Sequence, residues 1–513
     1  MVFRLPVTHS FEKIKGVTTM RCSGILMHIS SLPGPYGIGT MGKSSFEFVD
    51  FLEKSGQSLW QILPLTPTGY GDSPYQSCST FAGNHYLIDL EALVEEGLLK
   101  KEELDKIQWC YSDTKADFGI QYNNRLAVLR IAFNRFRDNR SLDEFCRQNA
   151  DWLPDFALFM ALKSKFGGKP WYEWETGLKF RDPDAMWAIR QELNDEIRFY
   201  SFVQYLFYTQ WAGLRKYATE KGIRIIGDVP IYVPLDSVEV WSSPELFQLD
   251  ETLTPSVVAG CPPDGFTADG QLWGNPLYRW DVIEQDGFSW WIRRMGAASK
   301  LYDMIRLDHF RGFEAYWSVP YGDATARNGK WNKGPGMAFV NALKKGLPEV
   351  EFIAEDLGFL TQEVLDLRDE SGWPGMKVLE FAFDSREPSE YLPHSYPNNS
   401  VCYTGTHDNM TMRQWFETAT PEAVEYCREY LALTDAEGLV RGTVRAAMSS
   451  VSNLCVIQMP DWLNLGGEAR MNFPGTLSDA NWTWRAKDGM MNKDLAKEIY
   501  NMTKLYGRLG NNK

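Results

Sequence analysis

Eight short apolar, β-branched runs recur along the chain, each closing on turn or polar residues: 24–29, 58–65, 224–233, 303–310, 351–356, 376–381, 401–407 and 454–459. Helically spaced apolar stretches follow most of them, at 44–54, 337–345, 361–370, 421–433, 436–448 and 492–506. Strands alternating with helices call for crossover connections and a parallel sheet. Eight such units predict an α/β chain folded as a (β/α)8 TIM barrel, whose functional groups sit at the C-terminal ends of the strands.

The spacing of the runs is uneven. About 160 residues separate the second run from the third, far more than an ordinary loop. Apolar residues at i, i+3, i+4 spacing predict helices over 93–107, 125–137, 155–165 and 183–221, the last stopped by Gly222. We therefore expect one interrupted barrel over 1–513. A mostly helical insertion spans 92–200, and a second insertion over 234–287 is rich in Pro, Gly and Trp. The second lacks helical periodicity and is expected to form loops and short strands over the barrel mouth.

A formal net charge of −14 argues against nucleic acid or an anionic membrane as partner. The eight cysteines are scattered, with no C-x-x-C and no close Cys/His pairing, so neither a zinc site nor a disulfide framework is expected. Residues 1–16 lack the basic-then-apolar layout of a signal peptide, and no apolar run approaches a membrane span. The expectation is a soluble cytoplasmic protein, monomer or homodimer, with no cofactor. Aromatic residues make up 14% of the chain; most serve packing, but flat rings with a polar tip also suit sugar faces.

Three strand ends carry carboxyls: Arg306-Leu307-Asp308-His309, Ala354-Glu355-Asp356-Leu357 and Gly405-Thr406-His407-Asp408-Asn409. Strand side chains alternate, so Arg306 and Asp308 share one face while Ile305 and Leu307 take the other. A carboxylate beside a fixed cation stays ionised; alone, this reads as an ion pair at a strand end. Glu355 has no adjacent cation, and the neighbouring Asp356 is a like charge, both of which push a carboxyl pKa upward. Which of Glu355 and Asp356 faces inward stays open at this level. One ionised and one protonated carboxyl on a barrel rim is the requirement of retaining glycosidic chemistry.

These segments resemble the strand-four, strand-five and strand-seven motifs of the α-amylase superfamily, and more narrowly the 4-α-glucanotransferases (amylomaltase or disproportionating enzyme, glycoside hydrolase family 77). Other matching stretches, in order, are Ser30-Ser31-Leu32-Pro33, Asp72-Ser73-Pro74-Tyr75-Gln76, Gly83-Asn84, Gly227-Asp228-Val229-Pro230-Ile231-Tyr232-Val233, Pro263-Asp264-Gly265-Phe266, Gly270-Gln271-Leu272-Trp273-Gly274-Asn275-Pro276 and Asn481-Trp482-Thr483-Trp484-Arg485. The resemblance runs from about residue 22 to the C-terminus. It implies Asp308 as nucleophile, Glu355 as acid and then base, and Asp408 as a third carboxylate on the sugar hydroxyls. Arg306, His407, Tyr75 and Asp228 would line the same subsite. His309 would reach the acceptor side. Asp264, Trp273 and Asn275 would meet sugar from a lid over 259–280, although Trp273 also reads as a core anchor and Asp264 as a turn cap. The implied substrates are α-1,4-glucans, maltooligosaccharides and glucose.

Asp228 is followed by Val-Pro-Ile-Tyr-Val, without the Asn-His pair of typical amylases. That departure matches the glucanotransferases, disfavours the alternative of an α-glucan hydrolase, and removes an Asn that helps bind structural calcium, so no metal is expected. A catalytically dead glucan-binding protein is a further alternative, against which the intact trio speaks.

Overall fold

The computed structural model describes residues 21–510, apart from Tyr70, 264–267, Phe359, Ser385, Glu387 and Pro388. Among the described residues there are twelve strands: β1 (Cys22–Leu26), β2 (Leu59–Gln61), β3 (Arg224–Val229), β4 (Val257–Cys261), β5 (Gln271–Pro276), β6 (Met304–Leu307), β7 (Ala315–Pro320), β8 (Lys330–Lys333), β9 (Glu351–Ala354), β10 (Gly375–Val378), β11 (Ser400–Tyr403) and β12 (Leu454–Gln458).

Eight of them, one from each predicted run, pair in parallel in the order β10-β11-β12-β1-β2-β3-β6-β9. The two edge strands meet where the Ala354 N–H donates to the Pro374 carbonyl at 3.0 Å, so the sheet curls into the expected (β/α)8 barrel. Alternation sorts its side chains into two layers. Leu26, Leu59, Ile226, Met304, Ile353, Met376, Val401 and Val456 fill the interior. Ile25, Ile225, Ile305, Leu307, Phe352 and Ile457 face the helices outside. Gly227 is required on β3 because a Cβ there would fall 2.1 Å from the Tyr302 ring.

The strands are shorter than the apolar runs that signal them, since the C-terminal part of each run turns away as rim loop. Helices between β2 and β3 include Phe118–Arg135, Leu153–Lys165, Pro183–Glu192 and Asn194–Glu220. The stretch read as one helix over 93–107 is instead two pieces, Leu90–Glu95 and Lys101–Leu104, with Gly97 at φ 74° between them. Two short helices, Val238–Ser242 and Trp280–Gln285, occur where no helical periodicity is visible. A second sheet, antiparallel and ordered β5-β4-β7-β8, joins that region to residues 315–333 beyond β6. No helix among the described residues is long and apolar enough to cross a membrane.

Asp356 ties the closing strands together. It is 1% exposed, and it accepts from Arg368 Nη1 at 2.8 Å and from the Met376 N–H at 2.7 Å. Removing Asp356 takes from Arg368 its buried partner, leaving it only the exposed Asp369, and strands the Met376 N–H. Asp356→Ala is therefore expected to lose about 3 kcal/mol of stability in urea unfolding; a loss below about 1 kcal/mol, no more than an exposed pair contributes, would contradict this role.

Candidate active site

The C-terminal rim of the barrel gathers the predicted groups around Arg306. Its side chain is 4% exposed, and its Nη1 donates to both Asp228 oxygens (2.8 and 2.7 Å) and to Asp308 Oδ1 (2.8 Å). Burial works against the guanidinium charge, but Asp228 and Asp308 outweigh it and hold Arg306 firmly protonated. Tyr75 completes this corner by donating its phenol to Asp228 Oδ2 at 2.8 Å.

Glu355 stands next to Asp308 because the β6–β9 register continues past the strand ends. The Glu355 N–H donates to the Leu307 carbonyl at 3.1 Å and the Phe310 N–H to the Glu355 carbonyl at 3.0 Å. The Glu355 carboxyl then accepts from the backbone N–H groups of His309 (2.7 Å) and Leu357 (3.0 Å), so it touches the residue that follows Asp308. His309 takes a left-handed backbone at φ 51°, uncommon for a residue with a side chain and a mark of local strain at functional turns.

The question left open between Glu355 and Asp356 is settled by this geometry. Glu355 faces the rim, while Asp356 reaches back to Arg368 and Met376. The reasoning from adjacency needs correcting in two respects. Glu355 does have a cation near it, Arg306, and its like-charge neighbour is Asp308 rather than Asp356. Burial is the largest influence and pushes Glu355 up to about 8, against the pull of Arg306 and the two backbone donors. Burial also raises Asp308, to about 6, opposed first by Arg306 and assisted by Asp228 and Asp408. Near neutral pH this leaves Asp308 ionised and Glu355 protonated.

Asp408 follows β11 on a loop and keeps 43% of its side chain exposed. Its Oδ1 accepts from Asn472 Nδ2 at 2.6 Å, and its Oδ2 lies 3.4 Å from His407 Nε2. His407 is 5% exposed, and its ring stacks on Tyr75 at 5.1 Å and 12°. Burial lowers its pKa, with Asp408 opposing. Strand β5 brings Trp273 edge-on to His309 (4.8 Å, 88°) and near Tyr232 (6.2 Å), so its ring both anchors β5 and borders the rim. Burial keeps His309 neutral by lowering its pKa to about 3. Asn275 is 4% exposed, and its Oδ1 accepts from Gln76 Nε2 at 3.4 Å. Asp264 lies outside the described residues.

Sequence reasoning missed Trp482, Asn472 and Arg470 as parts of this site. Trp482 packs 5.8 Å from Tyr75 and 6.0 Å from His407, and its N-W-T-W-R motif was visible signal. Asn472 holds the Asp408 carboxyl, and Arg470 Nη2 donates to the Asp408 carbonyl at 2.9 Å. Each is more than 60 residues from Asp408, and neither belongs to a matched motif. Among the described residues, no cluster of three or more His, Cys, Asp or Glu could hold a metal ion.

A closed parallel barrel with one charge-paired and one protonated carboxyl at its C-terminal rim has the layout of (β/α)8 enzymes acting on glycosidic bonds. Residues 27–491 match the family model described as 4-alpha-glucanotransferase. A 4-alpha-glucanotransferase of Clostridium butyricum is 50% identical over 94% of this chain and 100% of its own. One of Aquifex aeolicus is 47% identical over 95% and 100%. Among solved structures, the amylomaltase of Streptococcus agalactiae in complex with acarbose superposes with a TM-score of 0.93 at 41% identity, covering 96% of this chain and 100% of that one. The chain belongs to the 4-alpha-glucanotransferase family.

Proposed function

We propose that the chain moves a segment of a 1,4-α-D-glucan to the 4-hydroxyl of an acceptor glucan or glucose, by two inverting displacements that together retain configuration. The observation that carries this reading is the Arg306-bound Asp308 beside the backbone-anchored Glu355, with burial pushing the Glu355 carboxyl above that of Asp308. In the first step the Asp308 carboxylate attacks the anomeric carbon while Glu355 gives its proton to the departing 4-oxygen. In the second, Glu355 takes a proton from the acceptor hydroxyl, which attacks the glucosyl–Asp308 ester and frees the carboxylate. Asp408, with Arg306, His407, Tyr75 and Asp228, grips the reacting glucose. Trp273, His309 and Asn275 serve the neighbouring subsites, and Asp264 is assigned with them by resemblance alone. Transfer wins over hydrolysis when the covalent intermediate is kept from water until the acceptor arrives, a role we give to the lid strands β4 and β5. Cys22, Cys78, Cys110, Cys146, Cys402, Cys427 and Cys455 stand as thiols, which suits the cytoplasm as the place of work.

Maltotriose tests the reading. A transferase turns it into glucose and a ladder of longer oligomers while total reducing ends stay constant. Reducing ends that rise with time identify a hydrolase and overturn the assignment.

A further inference from the structure

The loop carrying Asp408 runs over 404–411, between β11 and the helix Met412–Thr418. One side chain holds both of its ends. Thr404 Oγ1 donates to Asp461 Oδ2 at 2.6 Å, and the Met412 N–H donates to Asp461 Oδ1 at 2.7 Å. Asp461 lies in the one-turn helix Met459–Trp462 directly after β12, is 3% exposed, and has no Lys or Arg among the described groups that act on its charge.

A buried carboxyl without a cation is an expensive way to fill space. Its advantage here is that two donors converge on it and both of its oxygens accept. An amide of the same shape would turn an N–H toward one of them. The rest of the loop is braced from the same stretch of chain. Gln458 Nε2 donates to the Met410 carbonyl at 3.0 Å, the Asn472 N–H to the His407 carbonyl at 3.0 Å, and Arg470 Nη2 to the Asp408 carbonyl at 2.9 Å. Inside the loop, Asn409 Oδ1 accepts from the N–H and the hydroxyl of Thr406, both at 2.9 Å. Residues 458–472 therefore hold Asp408 from behind, and Asp461 closes the loop on which that hold depends.

We propose that Asp461 is a positioning residue for the reaction: it staples the loop 404–411 and so sets where the Asp408 carboxyl stands relative to Asp308. The inference rests on the role given to Asp408 above. Among the described residues Asp461 bonds to Thr404 and Met412 and not to Asp308 or Glu355, so its influence passes through the loop.

The test is a double-variant cycle with maltotriose transfer and acarbose affinity as readouts. Asp461→Asn breaks one of the two accepted bonds, and Thr404→Val removes one donor while leaving the carboxyl, so a folding failure of the first leaves the second informative. Loosening a substrate-positioning group by about 1 Å costs roughly 10²-fold, and a loss of that order in transfer rate is expected for Asp461→Asn, with a smaller one for Thr404→Val. In an Asp408→Asn background both substitutions are expected to change rate and affinity less than about twofold, since groups acting through one another are not additive. Losses that multiply with that of Asp408→Asn, or full activity of both single variants, overturn the inference alone. Full activity of Asp408→Asn overturns the role of Asp408 and this inference with it.

Discussion

Asp308→Asn is expected to leave the protein folded and reduce maltotriose transfer by on the order of 10⁴-fold or more, the scale seen when a covalent nucleophile is removed. An amide matches the shape of the carboxylate but does not form the glycosyl ester. Folding should survive because Arg306 keeps both bonds to Asp228, so the substitution strands no buried charge. Loss of the like charge also relieves Glu355, whose pKa should fall toward the balance of burial against Arg306 and the two backbone donors. Melting temperature and circular dichroism check the fold, and progress curves on maltotriose check the activity. A variant that keeps more than about a hundredth of the wild-type rate would show that Asp308 is not the nucleophile, because positioning and electrostatic groups account for losses of that smaller size.

Glu355→Gln is the second large effect. General acid–base catalysis contributes about 10² to 10⁴, and transfer from maltotriose should fall by roughly 10³-fold. The loss depends on the leaving group. A glycosyl fluoride departs without a proton, so its cleavage to the covalent intermediate should be impaired far less than that of maltotriose. Equal losses on both substrates would sink the acid assignment. The pH profile supplies a second readout. Activity needs Asp308 ionised, so it declines as pH falls through about 6, and needs Glu355 protonated, so it declines as pH rises through about 8. The two groups interact, and the limbs of the bell belong to the pair. Glutamine at 355 removes the alkaline limb and leaves the acid limb in place, because Glu355 is already uncharged at the pH where Asp308 titrates.

Particular residues show how far sequence reasoning reached. The alternation of Met304, Ile305, Arg306 and Leu307 put Ile305 and Leu307 against the helices and Arg306 inside the barrel, as period-two geometry requires. Predicted helices such as 337–345 and 361–370 differ from Gly336–Gly346 and Gln362–Ser371 by one residue at each end. Those features are local, set by which side chains recur on one face. The antiparallel sheet was not legible beyond its first part. β4 pairs with β7, so Gly260 lies opposite Trp317, and nothing in either short segment names the other. The electrostatics followed the same division. Arg306 beside Asp308 is two residues apart and visible in the sequence, whereas Arg306 with Asp228 spans 78 residues and Tyr75 with Asp228 spans 153.

The sequence by itself determined the barrel, the strand that supplies each carboxyl, and the chemistry those carboxyls suit. Periodicity, strand-end position and residue type are all carried by neighbours along the chain. The family resemblance pointed to Glu355; tertiary structure supplied the reason, turning Asp356 back to Arg368 and Met376, and it alone decided how far burial raises Glu355 above Asp308 and which distant groups hold Asp408 in place. Those properties depend on how much water is excluded and on which donors arrive from other strands, and both exist only once the barrel has closed.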